Sequence, residues 1–238
     1  MQQLNSNAKE TFIHEIFSAI ARRYDLINSL LSFNRDKNWR RYAVEKCELK
    51  TGGIGLDVCC GTGMLTIEQA RCVGMTGKVI GLDFCRDMLE IAVGNIAKTP
   101  FASQIELLEG NAMKLPFADN TFDCATIGFA LRNVLDLRTV ISEMQRVVRN
   151  GGAVVSLELA KPSAPVFKQL YYLYFEKMLP LLGKLGTGID GPYQWLPRSL
   201  QLFPHQADIH ALFQDVGFKE STYYELDGGI VAVHVGKK

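Results

Sequence analysis

No stretch of this 238-residue chain reaches the ~18 uncharged apolar residues that a membrane-spanning helix needs. The greasiest part, 170–182, is interrupted by Glu176 and Lys177. An excess of either charge is also missing: 26 Lys+Arg stand against 25 Asp+Glu, which argues against a dedicated nucleic-acid binder with a concentrated basic face. The six cysteines form no C-x-x-C pair and have no His at zinc-finger spacing, so they read as small, mostly buried residues of a reducing compartment. The first ten residues lack the apolar centre of a secretory signal. Tandem repeats, low-complexity tracts and linkers are absent too. With 47% hydrophobic residues the chain can fill a core and is not disordered. The expectation is a soluble cytoplasmic protein with one domain over 1–238.

What the chain does contain is an alternation of short apolar runs with helical periods, the mark of a parallel sheet flanked by helices. Runs 54–59, 79–84, 105–108, 122–128 and 153–159 read as strands. A last pair, 221–226 and 230–235, is joined by Asp227-Gly228-Gly229 and reads as antiparallel. Helices fall between them. One covers 64–73, and a second carries Met88, Leu89, Ala92 and Ile96 on one face. A third carries Leu137, Val140, Ile141, Met144, Val147 and Val148 and is stopped by Asn150-Gly151-Gly152. The expected fold is α/β, a doubly wound, seven-stranded, mostly parallel Rossmann-like sheet. Two helical additions accompany it. An N-terminal cap over 1–50 opens on a capping box, Asn7-x-x-Glu10, and bears a stripe of Ile13, Ile16, Phe17, Ile20 and Tyr24. A late insertion over 160–215 bears an aromatic stripe of Phe167, Leu170, Tyr171, Tyr174, Phe175 and Met178. Ligands enter such sheets at the carboxyl ends of the strands, where added helices often form a roof.

The segment richest in chemistry is Gly55-Leu56-Asp57-Val58-Cys59-Cys60-Gly61-Thr62-Gly63-Met64, followed by Asp83 at the tip of the second strand. A strand running into Gly61-x-Gly63 and then a helix lets backbone approach a ligand closely. An acid some 20 residues further on is placed to accept from both hydroxyls of a ribose. A dinucleotide fingerprint would carry a third glycine where Thr66 stands. Asp57 would repel a pyrophosphate there but would tolerate a sulfonium ligand bearing an ammonium group. Gly110-Asn111-Ala112 adds a polar loop beside the adenine position. These features favour S-adenosylmethionine over a nicotinamide cofactor.

Taken together, Leu56-Asp57-Val58-Cys59-Cys60-Gly61-Thr62-Gly63, Gly81-Leu82-Asp83-Phe84, the run from Gly110-Asn111-Ala112 to Thr121-Phe122-Asp123, and Leu131-Arg132-Asn133-Val134 resemble the quinone-biosynthesis C-methyltransferases, which belong to the class I methyltransferases. Tyr24-Asp25-Leu26-Ile27-Asn28 near the start and Gly228-Gly229-Ile230-Val231 near the end extend the resemblance over nearly the whole chain. It implies a methyl transfer from S-adenosylmethionine to a ring carbon of a lipid quinol, demethylmenaquinol. A ubiquinone-type benzoquinol and a non-catalytic donor-binding protein are the alternatives. Thr62, Asp83, Asn111, Ala112 and Gly128 match the family's cofactor-contacting positions, where relatives often carry Ser in place of Gly128.

Such a reaction needs electron density pushed from a ring oxygen into the accepting carbon, and a phenol-like hydroxyl ionises only near ~10. A cation beside that oxygen, a proton acceptor, or both are required. Arg132, just beyond the fourth strand, is the expected oxyanion stabiliser, with a surface ion pair to Asp136 as its structural alternative. Asn133 is expected to orient the ring, and Tyr24 to position the quinol or relay a proton. His205 and His210 are further candidate bases. No metal-ligating constellation is visible in the sequence. The aromatic stripe suits either core packing or a weak, reversible contact with the membrane surface.

Overall fold

The computed structural model describes residues 6–164, Gln169, Tyr171, Leu173 and 192–238. Its strands are β1 (Ile54–Val58), β2 (Lys78–Asp83), β3 (Ile105–Glu109), β4 (Phe122–Gly128), β5 (Val148–Leu159), β6 (Glu220–Leu226) and β7 (Val231–Lys237). They form one sheet in the order β3-β2-β1-β4-β5-β7-β6. Pairing is parallel from β3 to β5, and antiparallel where β7 meets β5 and β6. The seven-stranded, doubly wound expectation holds. Strand order reverses between β1 and β4, so the ligand crevice belongs at the carboxyl ends of those two strands.

Burial explains why the central strands are continuous apolar runs. α6 (Leu137–Val147) brings Val140, Ile141, Met144 and Val147, all fully buried, into one cluster with Leu56, Val58, Phe122 and Ile127. α8 (Gln206–Val216) adds Ile209 and Phe213 to the same cluster. Elsewhere α3 (Asp36–Glu45) lays Trp39 and Ala43 against Cys124, Val155, Leu157 and Val233. This last helix comes from the N-terminal segment, so that segment both roofs the crevice and packs on the sheet. α4 (Met64–Val73) and α5 (Arg86–Ile96) complete the layers around β1 and β2. All six cysteines are unpaired.

Two local expectations change. Asn150-Gly151-Gly152 does not stop α6, which ends at Val147; these residues lie within β5. Val148 pairs with Phe122 and Ala153 with Cys124, so the intervening residues bulge out of the ladder. Gly151 takes φ +82°, and a Cβ at Gly152 would sit 2.5 Å from the Asp123 carbonyl oxygen. The glycines therefore serve a bulge and not a helix cap. Asn7 is likewise already inside α1 (Ser6–Ile20), so the capping-box reading fails there. The rest of the N-terminal stripe behaves as expected, with Ile13, Ile16 and Ile20 buried. α2 (Tyr24–Leu31) follows it, and α7 (Pro192–Leu202) precedes α8. Of the aromatic stripe, Tyr171 is buried, whereas Phe167, Leu170, Tyr174, Phe175 and Met178 lie outside the described residues. Among the described residues no helix is long and apolar enough to cross a membrane.

Candidate active site

The turn from β1 into α4 is strained by design: Cys59, Gly61 and Gly63 all have positive φ, at 55°, 54° and 80°. Asp83, at the end of the neighbouring strand, holds this turn. Its carboxylate accepts from the Gly61 N–H and from the Cys85 N–H, each at 2.8 Å. Burial raises its pKa, opposed by those N–H donors. One further lone pair on each oxygen is left for a ligand. A cleft runs from Gly61 and Asp83 past Asn111 and Ala112 to Gly128. α1 closes it with Ile13 and Phe17. The roof is tied down where Lys9 donates to the Val134 carbonyl at 2.8 Å and where Phe12 meets Trp195 edge-on.

Gly61 and Gly63 have different functions, although the sequence gives them one motif. Gly61 lines the cleft, while Gly63 lines neither it nor the two other cavities described below. A Cβ on Gly63 would lie 3.2 Å from the Ala92 Cβ, so this glycine lets α4 start against α5. The nearest atom to a Cβ on Gly61 would be 3.9 Å away. Both alanine variants carry left-handed strain of roughly 1 kcal/mol, but only Gly63→Ala adds a packing clash. Thermal melts are expected to rank wild type above Gly61→Ala above Gly63→Ala, in steps of a few degrees.

Asp57 is 1% exposed and sits in a small cleft next to the turn, lined also by Gly61, Thr62, Leu65, Gly128 and Arg40. Its oxygens accept from Thr66 and Thr126, each at 2.7 Å, and Thr126 in turn accepts from Gln69 at 2.6 Å. Thr66, which the sequence offered only as a missing glycine, is thus a partner of this acid. Burial pushes the Asp57 carboxyl up to about 6. The unfolded chain gives up that proton nearer ~4. The empty protein therefore loses stability as pH rises from about 4 to 6. A cationic ligand gains the opposite dependence. Its affinity is expected to be flat above pH 7 and to fall below pH 6, approaching tenfold per unit, because the carboxylate must be ionised to attract it. Calorimetric titration with S-adenosylmethionine between pH 5 and 8 measures this, and Asp57→Asn should abolish the dependence.

A larger cavity of about 510 Å³ opens beside the cleft and shares Tyr24 and Phe129 with it. Its walls come from α2, α3, the segment after β4, and the β6–β7 hairpin. Arg132 lies in this wall with its side chain 8% exposed, paired at 2.5 Å with Glu158, which is 1% exposed. It also donates to the Phe129 carbonyl at 2.7 Å, while its Nε–H has no partner among the described residues. Asp136 is not its partner; that residue caps α6, accepting from the Arg138 N–H and the Thr139 hydroxyl. A second buried pair, Arg40 and Asp36, lies in the same wall. At the rim, Asp227 accepts from Arg35 and from the Trp39 indole. Tyr24 and Phe129 border all three cavities. Burial raises the Tyr24 phenol against the pull of Arg132, Arg40 and a hydrogen bond with Asn28, so the hydroxyl keeps its proton. Phe129 takes φ +56°, an outlier for an aromatic residue.

Other expected site residues take different places. Thr62 borders the small cleft but donates its hydroxyl to Asp25 at 2.6 Å. Asn111 borders the cleft with its side chain accepting from the Met113 N–H. Asn133 faces the cleft under α1 and not the large cavity, and accepts from the Trp195 indole at 2.9 Å. The two candidate histidines lie apart from these cavities. His205 caps α8, accepting from the Ala207 N–H, and His210 lies 3.1 Å from the Ser221 hydroxyl on β6. Neither borders any of the three cavities. Arg40, Asp36, Trp39, Phe129 and Glu158 were not singled out by the sequence, where the charged run over 35–41 carries only one aromatic residue, Trp39.

Solved structures agree on the fold. A SAM-dependent methyltransferase from Aquifex aeolicus superposes with a TM-score of 0.64 at 18% identity, covering 89% of this chain and 96% of that one. A SAM-dependent methyltransferase from Thermotoga maritima gives 0.66 at 19%, covering 94% and 99%. Sequence relatives are much nearer. Proteins named demethylmenaquinone methyltransferase are 46% identical in Desulfitobacterium hafniense, over 100% of this chain and 94% of that protein, and 48% identical in Bacillus licheniformis, over 97% and 98%. The family model described as the ubiE/COQ5 methyltransferase family matches residues 5–238. This chain, with its donor-side cleft and its separate large cavity, belongs to the ubiE/COQ5 methyltransferase family.

Proposed function

We propose that this chain methylates a ring carbon of demethylmenaquinol, giving menaquinol. Supporting this is a cleft holding Gly61, Asp83 and Asn111 that meets a larger cavity at Tyr24 and Phe129, both mainly apolar, with Arg132 in the wall of the larger one. The cleft suits S-adenosylmethionine, which supplies an electrophilic methyl group on a sulfonium sulfur. Asp83 is placed to accept from the ribose, Asn111 and Ala112 to border the base, and Asp57 to balance positive charge. In the other cavity the acceptor's ring needs one oxygen poised to ionise. The unpartnered Nε–H of Arg132 and the protonated Tyr24 hydroxyl are donors for that oxygen, holding it as the O–H proton leaves. The ring O–H gives its proton to water at the rim. The oxygen's electrons flow to the ortho carbon, which takes the methyl as the carbon–sulfur bond breaks and S-adenosylhomocysteine is left. That carbon's own proton then passes to water, restoring the aromatic ring. α1 covers the cleft, and the Arg35–Asp227 pair stands at the rim of the larger cavity.

The polyprenyl tail of such an acceptor is too long for the cavity and leaves by its rim. Phe33, 79% exposed, stands there in the turn after α2, next to Arg35, and Leu26 and Leu30, 71% and 59% exposed, lie on the outer face of the same helix. This face suits a weak, reversible contact with the membrane surface. The test is transfer of labelled methyl from S-adenosylmethionine to short-tail quinols under reducing conditions. Label on the demethylmenaquinol ring carbon is the expected result. Label confined to a benzoquinol, or absent from both, contradicts the assignment.

A further inference from the structure

Arg40 belongs to the N-terminal segment, yet it borders the small cleft at the β1–α4 turn as well as the large cavity. It is 8% exposed, and its one described hydrogen bond is to Asp36 at 2.5 Å. Asp36 is itself held by the Ser32 hydroxyl at 3.0 Å. A guanidinium has five N–H donors, so most of those on Arg40 are uncommitted. Its Cζ lies 6.0 Å from the centre of the Phe129 ring, which places the group at the junction of the compartments. Among the described residues that line the small cleft, the charged side chains are Arg40 and Asp57. α4 starts there too, with Gly63 as an N-cap that offers its free N–H groups no side-chain acceptor. One cation, one anion and a helix N-terminus in a cleft this small match a zwitterionic α-amino acid.

We propose that Arg40 binds the α-carboxylate of the methyl donor's amino-acid end, opposite Asp57 at its ammonium group. This rests on the donor half of the function proposed above and is independent of the acceptor. It makes the N-terminal segment part of the donor site, although that segment is outside the strand–turn–helix motif. A charged, bidentate contact of this kind governs affinity for ligands that carry the carboxylate and for no others.

The experiment compares S-adenosylhomocysteine with 5′-methylthioadenosine, which has the same nucleoside and thioether but no amino-acid end. Calorimetry on Arg40→Met is expected to show at least a tenfold weaker Kd for S-adenosylhomocysteine and less than a twofold change for methylthioadenosine, with partial rescue in Arg40→Lys. Should Arg40→Met leave Asp36 unpaired and unfold the chain, the double variant Asp36→Asn, Arg40→Met removes both charges. The wild-type protein gives a parallel reading, since decarboxylated S-adenosylmethionine should bind at least tenfold more weakly than the intact donor. Equal losses for both nucleosides, or unchanged S-adenosylhomocysteine binding with only a raised KM for the quinol, would overturn the proposal. Wild-type protein that binds neither nucleoside would overturn the donor reading as well, and a chain that binds both but methylates no quinol would overturn the acceptor reading alone.

Discussion

Arg132→Met combined with Glu158→Gln is expected to leave a folded protein that binds S-adenosylhomocysteine normally and turns over 10²–10³-fold more slowly. The size follows from removing one preorganised donor aimed at developing negative charge. The second substitution is necessary. Arg132 and Glu158 are 8% and 1% exposed, and removing one partner of such a pair leaves a buried charge that costs about 3–5 kcal/mol. Arg132→Met alone would confuse loss of fold with loss of catalysis. With the pair removed together, circular dichroism and donor calorimetry should match wild type while kcat falls. A double variant retaining a third or more of wild-type turnover would show that the guanidinium only braces the segment after β4, through the Phe129 carbonyl.

Asp83→Ala is the second large effect, and it falls on binding instead of on the chemical step. Two hydrogen bonds from ribose hydroxyls to an ionised, desolvated carboxylate are worth about 1.5–3 kcal/mol each, so the Kd for S-adenosylhomocysteine should rise on the order of 100-fold or more. Part of the loss comes through the turn, because Asp83 also accepts from the Gly61 N–H. Asp83→Asn separates the two: it retains one acceptor oxygen and should recover some of the turn but little of the affinity. Unchanged affinity in Asp83→Ala would remove the ribose from this end of β2.

The donor side was legible because it is local. Asp57, Gly61 and Asp83 come from one strand, its turn and the tip of the next strand, and short-range spacing fixes where their backbones lie. What each does was less legible. Thr66 looked like a missing glycine, and only the register of β1 with β4, which brings Thr126 beside Asp57, shows why a hydroxyl is wanted there. Gly63 was read only as a ligand contact, and the close approach of Ala92, 3.2 Å from where its Cβ would stand, gives that glycine a packing reason as well. The acceptor side was hardly legible. Its walls join α2 and α3 to the β6–β7 hairpin, as in Trp39 donating to Asp227 across 188 positions, and no periodicity encodes such a meeting. Arg132 was chosen by its place after β4, and the ion pair to Asp136 weighed as its structural alternative is not formed. Asp136 is four residues away, and capping α6 holds it elsewhere, whereas Glu158 reaches Arg132 through the pairing of β4 with β5. The histidines were weighed by their titration range alone, and a helix cap such as His205 satisfies the same composition without bordering any cavity.

The decisive measurement is a crystal structure of the chain with S-adenosylhomocysteine and a short-tail demethylmenaquinol. The account predicts the ribose on Asp83, the ring in the cavity beside Arg132, and the sulfur facing a ring carbon across the Tyr24–Phe129 junction. A nucleoside lying away from Asp83, or a quinol bound where β4 separates it from the sulfur, would contradict it.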